Sequence, residues 1–503
     1  MATVPATTAA PAAPEKSSPL TAVLGLLLGP AMFALVYLFL PLEGLEWNGR
    51  MTLAVFVWMA AWWIAEPIPW AITCLLPLAL LPLFGVMRIE DVAALYGQNI
   101  FFWIWGTTML GFAMEKHGLA RRIALWFLSR PGVANSTARL TFMYMLGAAC
   151  ISSVVSDAAV VAMMIPIGMS LYTYVRDATG IGAGGRSPLA AFLALGTLYA
   201  SQAGGVATIA GIPHNAVSMA LLGKLAGETI GWFEWMMVGV PLMLVLLVTF
   251  YLFLRFFFPP EITSIPGGEA FVRGERTKLG PLSRGEKNVL VAFFAMVVLF
   301  VLPSFTGLAL GDAHPVATQL RTSLPIWIVP VTVLFVLYLL PVDLGRRQMT
   351  LTWKDSAAHA PWNIMILCMA AVGMADALGD FGFMEYMRDL LSRIPVDRLA
   401  LPYLSGVIVA FLTNVLSGLA ATALLANIFI PMAADAGFNP SSMAMLVPNV
   451  AIGLMFPWSG ATAGTAFASG YIDLRDMIRV GFFATLMLVV VVGTVHLLFA
   501  GLL

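Results

Sequence analysis

Ser156-Asp157-Ala158-Ala159-Val160-Val161-Ala162-Met163-Met164 has a counterpart in Ser417-Gly418-Leu419-Ala420-Ala421-Thr422-Ala423-Leu424-Leu425. With the serines aligned, Ala159 matches Ala420, Ala162 matches Ala423, and each stretch closes on two large apolar residues. Upstream, Asn99-Ile100 stands nineteen residues before Gly118, and Asn363-Ile364 nineteen before Gly382. One pattern therefore occurs once in each half. Each copy sets small polar residues at the centre of a long apolar block, 137–175 in the first half and 400–435 in the second. One membrane crossing takes roughly 20 apolar residues, so each block is long enough for two. Backbone interrupted at membrane depth is tolerated only where protein or a polar cavity satisfies it. Both blocks are therefore read as re-entrant helical hairpins, with their tips at the polar interruptions.

Composition sets the environment. The chain has 503 residues, 60% of them hydrophobic and only 10% charged, against about 25% charged in a soluble domain. Such a chain cannot cover a water-facing surface and is expected to lie in a lipid bilayer. Its net charge of zero shows no footprint of a nucleic-acid partner. Cys74, Cys150 and Cys368 sit in apolar segments. They carry no metal spacing, and neither do the five histidines, so no transition metal is expected. Residues 1–18, rich in Ala, Pro and Thr, lack the basic start and apolar core of a signal peptide and read as a disordered tail. No nucleotide-binding glycine loop and no nucleophile–base constellation is found. An enzyme or a bound cofactor is not expected.

Apolar spans are expected near 20–41, 51–65, 67–87, 97–114, 188–222, 232–258, 287–303, 323–341, 362–378, 441–470 and 477–502. The fold class is thus an all-α polytopic membrane protein with about 11 transmembrane segments plus the two hairpins. Lys and Arg favour cytoplasmic loops. They cluster at 116–139, at 259–287, around Arg346, Arg347 and Lys354, and at Arg475 and Arg479. The links 223–231 and 304–322 hold one basic residue each and read as external. The first hairpin then enters from the cytoplasm and the second from outside, making the halves inverted repeats. The N-terminus is cytoplasmic and the C-terminus external. Leu119–Ser129 and Phe383–Ile394 have apolar residues at helical spacing with charges between them, as in helices lying along the interface. Inverted repeats with broken helices meeting near the midplane are the plan of secondary transporters.

These landmarks resemble the divalent anion/sodium symporter family of dicarboxylate, citrate and sulfate carriers. The likeness runs from Glu66-Pro67-Ile68-Pro69 to the C-terminus. Where the family carries a Ser-Asn-Thr triplet at each hairpin tip, this chain has Ser156-Asp157-Ala158 and Ser417-Gly418-Leu419. Its Thr-Pro-Pro-Asn-like elements correspond to Gly211-Ile212-Pro213-His214-Asn215 and Ala461-Thr462-Ala463-Gly464-Thr465, and its Gly-Ser-Gly-Tyr tail to Ala468-Ser469-Gly470-Tyr471. The resemblance implies a homodimer working by an elevator mechanism in the cytoplasmic membrane. It implies carriage of a small organic dianion together with a coupling cation, sodium or a proton. Scaffold parts would span 20–131 and 287–398, and transport parts 132–258 and 399–503, with a cytoplasmic linker at 259–286 and a tail at 1–19. The hairpins are 137–175 and 400–435, and the broken helices 188–222 and 441–470.

By the same resemblance, cation-binding candidates at the first tip are Ser152, Ser153, Ser156 and Asp157, with Gly204 and Gly205 on the next helix. At the second they are Thr413, Asn414 and Ser417, opposite Ser459 and Gly460. Substrate-binding candidates are Ser156, Asp157, His214, Asn215, Ser417, Thr462 and Thr465, with Thr422 a weaker contact. An asparagine can donate to a substrate carboxylate, whereas an ionised aspartate only accepts. Three readings of Asp157 stay open: a sodium ligand, a proton-coupling group, or a structural cap of its helix. His214 stands where a proline would be and reads equally as an anion contact or as a neutral histidine bound to local backbone. None of the four elements contains Lys or Arg, so anion binding falls to helix N-termini, amides and hydroxyls. Gly418 and Leu419 offer no polar side chain. The site is expected to be asymmetric, with proton-coupled or exchange transport of another anion as the alternative to sodium-coupled dicarboxylate uptake. A membrane protein that binds without transporting is a more distant one.

Overall fold

The computed structural model describes residues 19–39, 44–181, 187–311, 314–383, 386, 397–499 and 501. The tail 1–18 and most of the expected interfacial helix Phe383–Ile394 lie outside the described residues.

Among the described residues the regular elements are helices, apart from an isolated bridge between Ser136 and Ser264 and a two-stranded ribbon that pairs Pro341–Asp343 with Gln348–Met349, which the all-α expectation did not include. Six described helices are long and apolar enough to cross a membrane: Asp157–Thr179, Trp232–Phe257, Arg284–Gly307, Trp362–Asp380, Gly418–Asp435 and Leu474–Phe499. The expected span 67–87 is instead split into Trp70–Thr73 and Leu76–Leu83. Prolines explain the split. Pro69 precedes the first piece and Pro77 enters the second at its start, and proline can neither donate in a helix interior nor leave its predecessor helical. The span expected at 287–303 runs on to Leu310 through Pro303, into a link expected to be wholly external. The linker 259–286 folds its own helix, Gly268–Lys278.

Each of the two interrupted apolar blocks is a pair of helices joined by a short break. The first pairs Thr137–Ser152 with Asp157–Thr179, and the second pairs Leu401–Val415 with Gly418–Asp435. Each is followed by a broken helix. Pro188–Gly205 and Pro213–Leu225 flank a gap at 206–212, and Pro440–Val450 and Ala461–Ala468 flank one at 451–460 that holds a single short turn. Proline opens three of these segments at the first helical position, where its missing N–H costs nothing.

The halves interlock. Pro213–Leu225 of the first packs against Gly418–Asp435 and Pro440–Val450 of the second, and Ala461–Ala468 packs against Asp157–Thr179. On the basic side, Leu119–Leu128 is tied to the segment that begins the second half. Arg122 Nε lies 2.6 Å from Glu286 Oε1, and the same guanidinium donates to the carbonyls of Leu279 and Gly280. The linker is strapped to the first hairpin by Thr137 N–Thr263 O and Ile265 N–Asn135 O.

Candidate functional site

The first tip is a four-residue break, 153–156, pressed against the helix that follows the hairpin. Ser152 Oγ donates to Ser201 O at 2.7 Å, and Thr208 Oγ1 donates to Ser153 O. The approach is backbone to backbone: a Cβ on Gly204 would lie 2.2 Å from Ala149 O. Glycine is needed there because no larger residue fits. Ser153 Oγ turns back to Cys150 O at 2.8 Å. Asp157 opens the second hairpin helix with 8% exposure, its Oδ1 accepting from Ala158 N at 2.8 Å. Ser156 is the residue just before that helix, and its hydroxyl does not cap it. The carboxylate thus sits at the positive end of a helix, inside a chain whose other buried groups are mostly apolar.

The first helix break is held by Asn215. Its Nδ2 donates to Gly205 O at 2.9 Å and to Thr208 O at 2.8 Å, while its buried Oδ1 has no partner. Gly205 itself abuts Gly211 and Ile212 across the break. His214, one residue before, faces the other half. A Cβ on Gly418 would lie 2.7 Å from His214 Nε2 and 2.1 Å from Ala451 O. His214 Nδ1 is buried without a partner. The imidazole therefore occupies space beside the second tip that a side chain at 418 would need.

The second tip is organised by Asn414, which sequence reasoning cast as a cation ligand. Its Oδ1 accepts from Leu454 N at 3.1 Å and Met455 N at 2.8 Å, clamping the unwound segment. Ser417 caps its helix by accepting from Ala420 N at 3.2 Å. Thr413, Ser459 and Thr465 hydroxyls donate to Val409 O, Phe456 O and Ala461 O within their own segments. Gly460 is extended, with φ 172°. Thr462 reaches across the molecule and accepts from Gln202 Nε2 at 2.9 Å. Thr422 Oγ1 is buried and unpartnered.

Tips and breaks from both halves thus converge through His214–Gly418–Ala451 and Gln202–Thr462. Most of the serine and threonine hydroxyls expected to face a ligand instead hold the framework. Gln202 and Thr208 were missed. The available signal for Gln202 was a long amide side chain within the mostly apolar run 188–205.

The sodium:sulfate symporter transmembrane-region model matches residues 21–503. The chain belongs to the sodium:sulfate symporter family. Similar members are named sodium-dependent dicarboxylate transporter SdcS. The one from Staphylococcus saprophyticus is 29% identical over 490 residues, covering 95% of this chain and 91% of that protein. The one from Staphylococcus aureus strain NCTC 8325 is 28% identical over 487 residues, with the same coverage. The fold is similar to that of the Alcanivorax borkumensis YdaH transporter, with a TM-score of 0.52, 14% identity, and coverage of 90% of this chain and 98% of that one. As a member of this family the chain is a multi-pass membrane transporter and not an enzyme.

Proposed function

We propose that this family member carries a small C4-dicarboxylate-like dianion across the cytoplasmic membrane, coupled to sodium. The observation that carries the reading is the meeting of two helix N-termini, Pro213–Leu225 and Gly418–Asp435, at the His214–Gly418 contact. Helix N-termini offer free amides and a favourable dipole to an anion. Relatives named as sodium-dependent dicarboxylate transporters match 95% of the chain, which supports both the ion and the substrate class. His214, Ser417 and Thr462 line the anion side, whereas the amide donors of Asn215 and the hydroxyl of Thr465 are already spent on backbone carbonyls. Ser152, Ser153, Ser156, Asp157, Gly204 and Gly205 form the first cation site, and Thr413, Asn414, Ser417, Ser459 and Gly460 the second.

The carrier works as an elevator in a homodimer. The hairpins, the broken helices and the Trp232–Phe257 and Leu474–Phe499 helices move together, and residues 20–131 and 287–398 form the scaffold. The recurrence of hairpin, broken helix and long helix in each half supports an inverted repeat, with the N-terminus inside and the C-terminus outside. A second reading, proton coupling, is favoured by one observation: Asp157 is a buried carboxylate at the first tip. Reconstitution decides between them. Uptake of labelled succinate into liposomes should follow an imposed sodium gradient. Uptake that follows only a proton gradient would establish the second reading, and none under either would refute the substrate class.

A further inference from the structure

The linker between the two halves is anchored at its two ends to different parts of the molecule. Its first part is fastened to the first hairpin and to the helix after it. Glu261 caps Pro188–Gly205: Oε1 accepts from Ser187 Oγ at 2.5 Å and Oε2 from Leu189 N at 3.1 Å, which sets a carboxylate at the positive end of a helix. Ser264 pairs with Ser136 in an isolated antiparallel bridge, flanked by Thr137 N–Thr263 O at 3.1 Å and Ile265 N–Asn135 O at 3.0 Å. Tyr174 Oη donates to Pro266 O at 2.9 Å, and its ring stacks on Phe271 with centroids 4.4 Å apart. Glu269 Oε1 accepts from Gly132 N at 3.0 Å, and Glu269 N donates to Asn135 Oδ1 at 3.3 Å. Each of these partners lies within 132–258.

The last part of the linker is held by Leu119–Leu128, where Arg122 reaches Leu279 O, Gly280 O and Glu286. Gly268–Lys278 lies between the two anchorages. It is bridged to the same arm by Arg121 Nη2–Glu275 Oε2 at 3.3 Å, with the Arg121 side chain 52% exposed, and by Arg276 Nη1 donating to Ser129 Oγ at 3.2 Å. Exposed ion pairs contribute little, so these are the contacts that give first. Arg121 and Glu275 also border a cavity of about 260 Å3 lined by Leu125, Ile167 and Val272. Arm, hairpin and linker helix are therefore not close-packed where they meet. Just past the helix, Gly280 stands at φ 62° with no atom within 4 Å of where a Cβ would be, which leaves backbone free to absorb a rotation.

Under the elevator reading above, 20–131 is scaffold and 132–258 moves, so the two anchorages belong to different bodies. We propose that residues 259–275 travel with the moving body, that Lys278–Gly280 is the hinge, and that Arg121–Glu275 is a latch broken at each stroke. The proposal rests on that reading. It is tested on the full chain in liposomes by succinate uptake, with identically treated wild type as the control. Ser136 and Ser264 form a non-hydrogen-bonded pair, whose Cα atoms stand about 4.5 Å apart, within disulfide reach. The disulfide of Ser136→Cys/Ser264→Cys should leave uptake within about twofold of the reduced form. Arg121→Cys/Glu275→Cys, joined by a short bis-methanethiosulfonate, should lose about tenfold or more and recover on reduction. Ser129→Cys/Arg276→Cys repeats this lock if the first pair does not fold. A disulfide between positions 136 and 264 that stops uptake reversibly overturns the proposal, because the linker must then part from the hairpin. Lys224 and Asp376 pair across the same two bodies at 3.0 Å. A lock between positions 121 and 275 that leaves uptake intact, while the same reagent on Lys224→Cys/Asp376→Cys stops it, overturns the strap alone. If neither lock stops uptake, the elevator reading falls and the strap with it, and wild type that takes up no succinate removes the transport reading beneath both.

Discussion

Gly418→Ala is the sharpest perturbation of the convergence point. The added Cβ would sit 2.1 Å from Ala451 O and 2.7 Å from His214 Nε2, whereas real Cβ contacts keep about 3.0 Å. The imidazole can swing aside. Ala451 cannot, because it is backbone: its N–H is bonded to Val447 O at 3.1 Å, and Asn414 pins Leu454 and Met455 beyond it. Tip and unwound segment must therefore separate by about 0.9 Å. Overpacking of this kind costs about 1–3 kcal/mol, and the displacement falls where the two helix N-termini meet. The expected result is a lower unfolding midpoint together with a several-fold weaker half-saturation for succinate uptake. Gly223→Ala is the matched control on the facing helix. Its Cβ would find its nearest atom at an ordinary 3.7 Å, and alanine in a helix gains up to about 1 kcal/mol over glycine. The reasoning is refuted if Gly418→Ala is as stable as wild type with unchanged half-saturation, or if Gly223→Ala is damaged as badly.

Asp157→Asn should fold normally and shift the sodium dependence of uptake about tenfold; identical sodium and pH dependence would remove Asp157 from the coupling machinery. Lys224 Nζ lies 3.0 Å from Asp376 Oδ1, joining the end of Pro213–Leu225 to Trp362–Asp380. Under the elevator reading this pair spans the sliding interface, so Asp376→Asn should change the initial uptake rate by up to about fivefold, the equivalent of a pair worth about 1 kcal/mol, without altering substrate affinity. Outside the membrane, Asp355 caps Trp353–His359 and receives Lys116 Nζ at 2.9 Å. Burial pushes its carboxyl up, but bonds from Lys116 and Thr352 outweigh that and hold it below the usual value. A depressed carboxylate stabilises the fold above its unfolded pKa and loses that contribution as pH falls through the folded one. Asp355→Asn should therefore cost about 1 kcal/mol near neutrality and match wild type at strongly acid pH, checked by unfolding midpoints across pH.

Much of the architecture was legible because membranes leave the chain few options. An apolar block too long for one crossing and polar at its centre is expected to break there, and both blocks split into two helices at that centre. The first helix break was legible at Gly211 and Pro213; the second was expected at 461–465, whereas the structure unwinds 451–460 and keeps Ala461–Ala468 helical. What escaped was local. The split of 67–87 lay in its prolines, whose effect was outweighed in the reading by the surrounding hydrophobicity. The ribbon at 341–349 follows the end of an apolar helix and carries no alternating pattern strong enough to declare it.

The site was harder to read, since spacing tells which residues reach a region but not which way their atoms turn. Ser152, Ser153, Thr413, Ser459 and Thr465 were expected to face a ligand, yet each donates its hydroxyl to a carbonyl. A hydroxyl has lone pairs left after donating, so such a residue can still bind a cation, but it no longer donates to a carboxylate. That sorts the region by polarity. Where Pro188–Gly205 ends, the spent hydroxyl of Ser152 and the bare Oδ1 of Asn215 lie close by, which is chemistry for a cation. Free amides gather where Pro213–Leu225 and Gly418–Asp435 begin, which is chemistry for an anion. The missing asparagine at 418 then ceases to be a simple loss. Filling that position would force the second tip off Ala451, and the imidazole that fills the space instead comes from the first half. Under the proposed function, an anion bound there would touch both halves at once, and the two breaks would move with the substrate as one body.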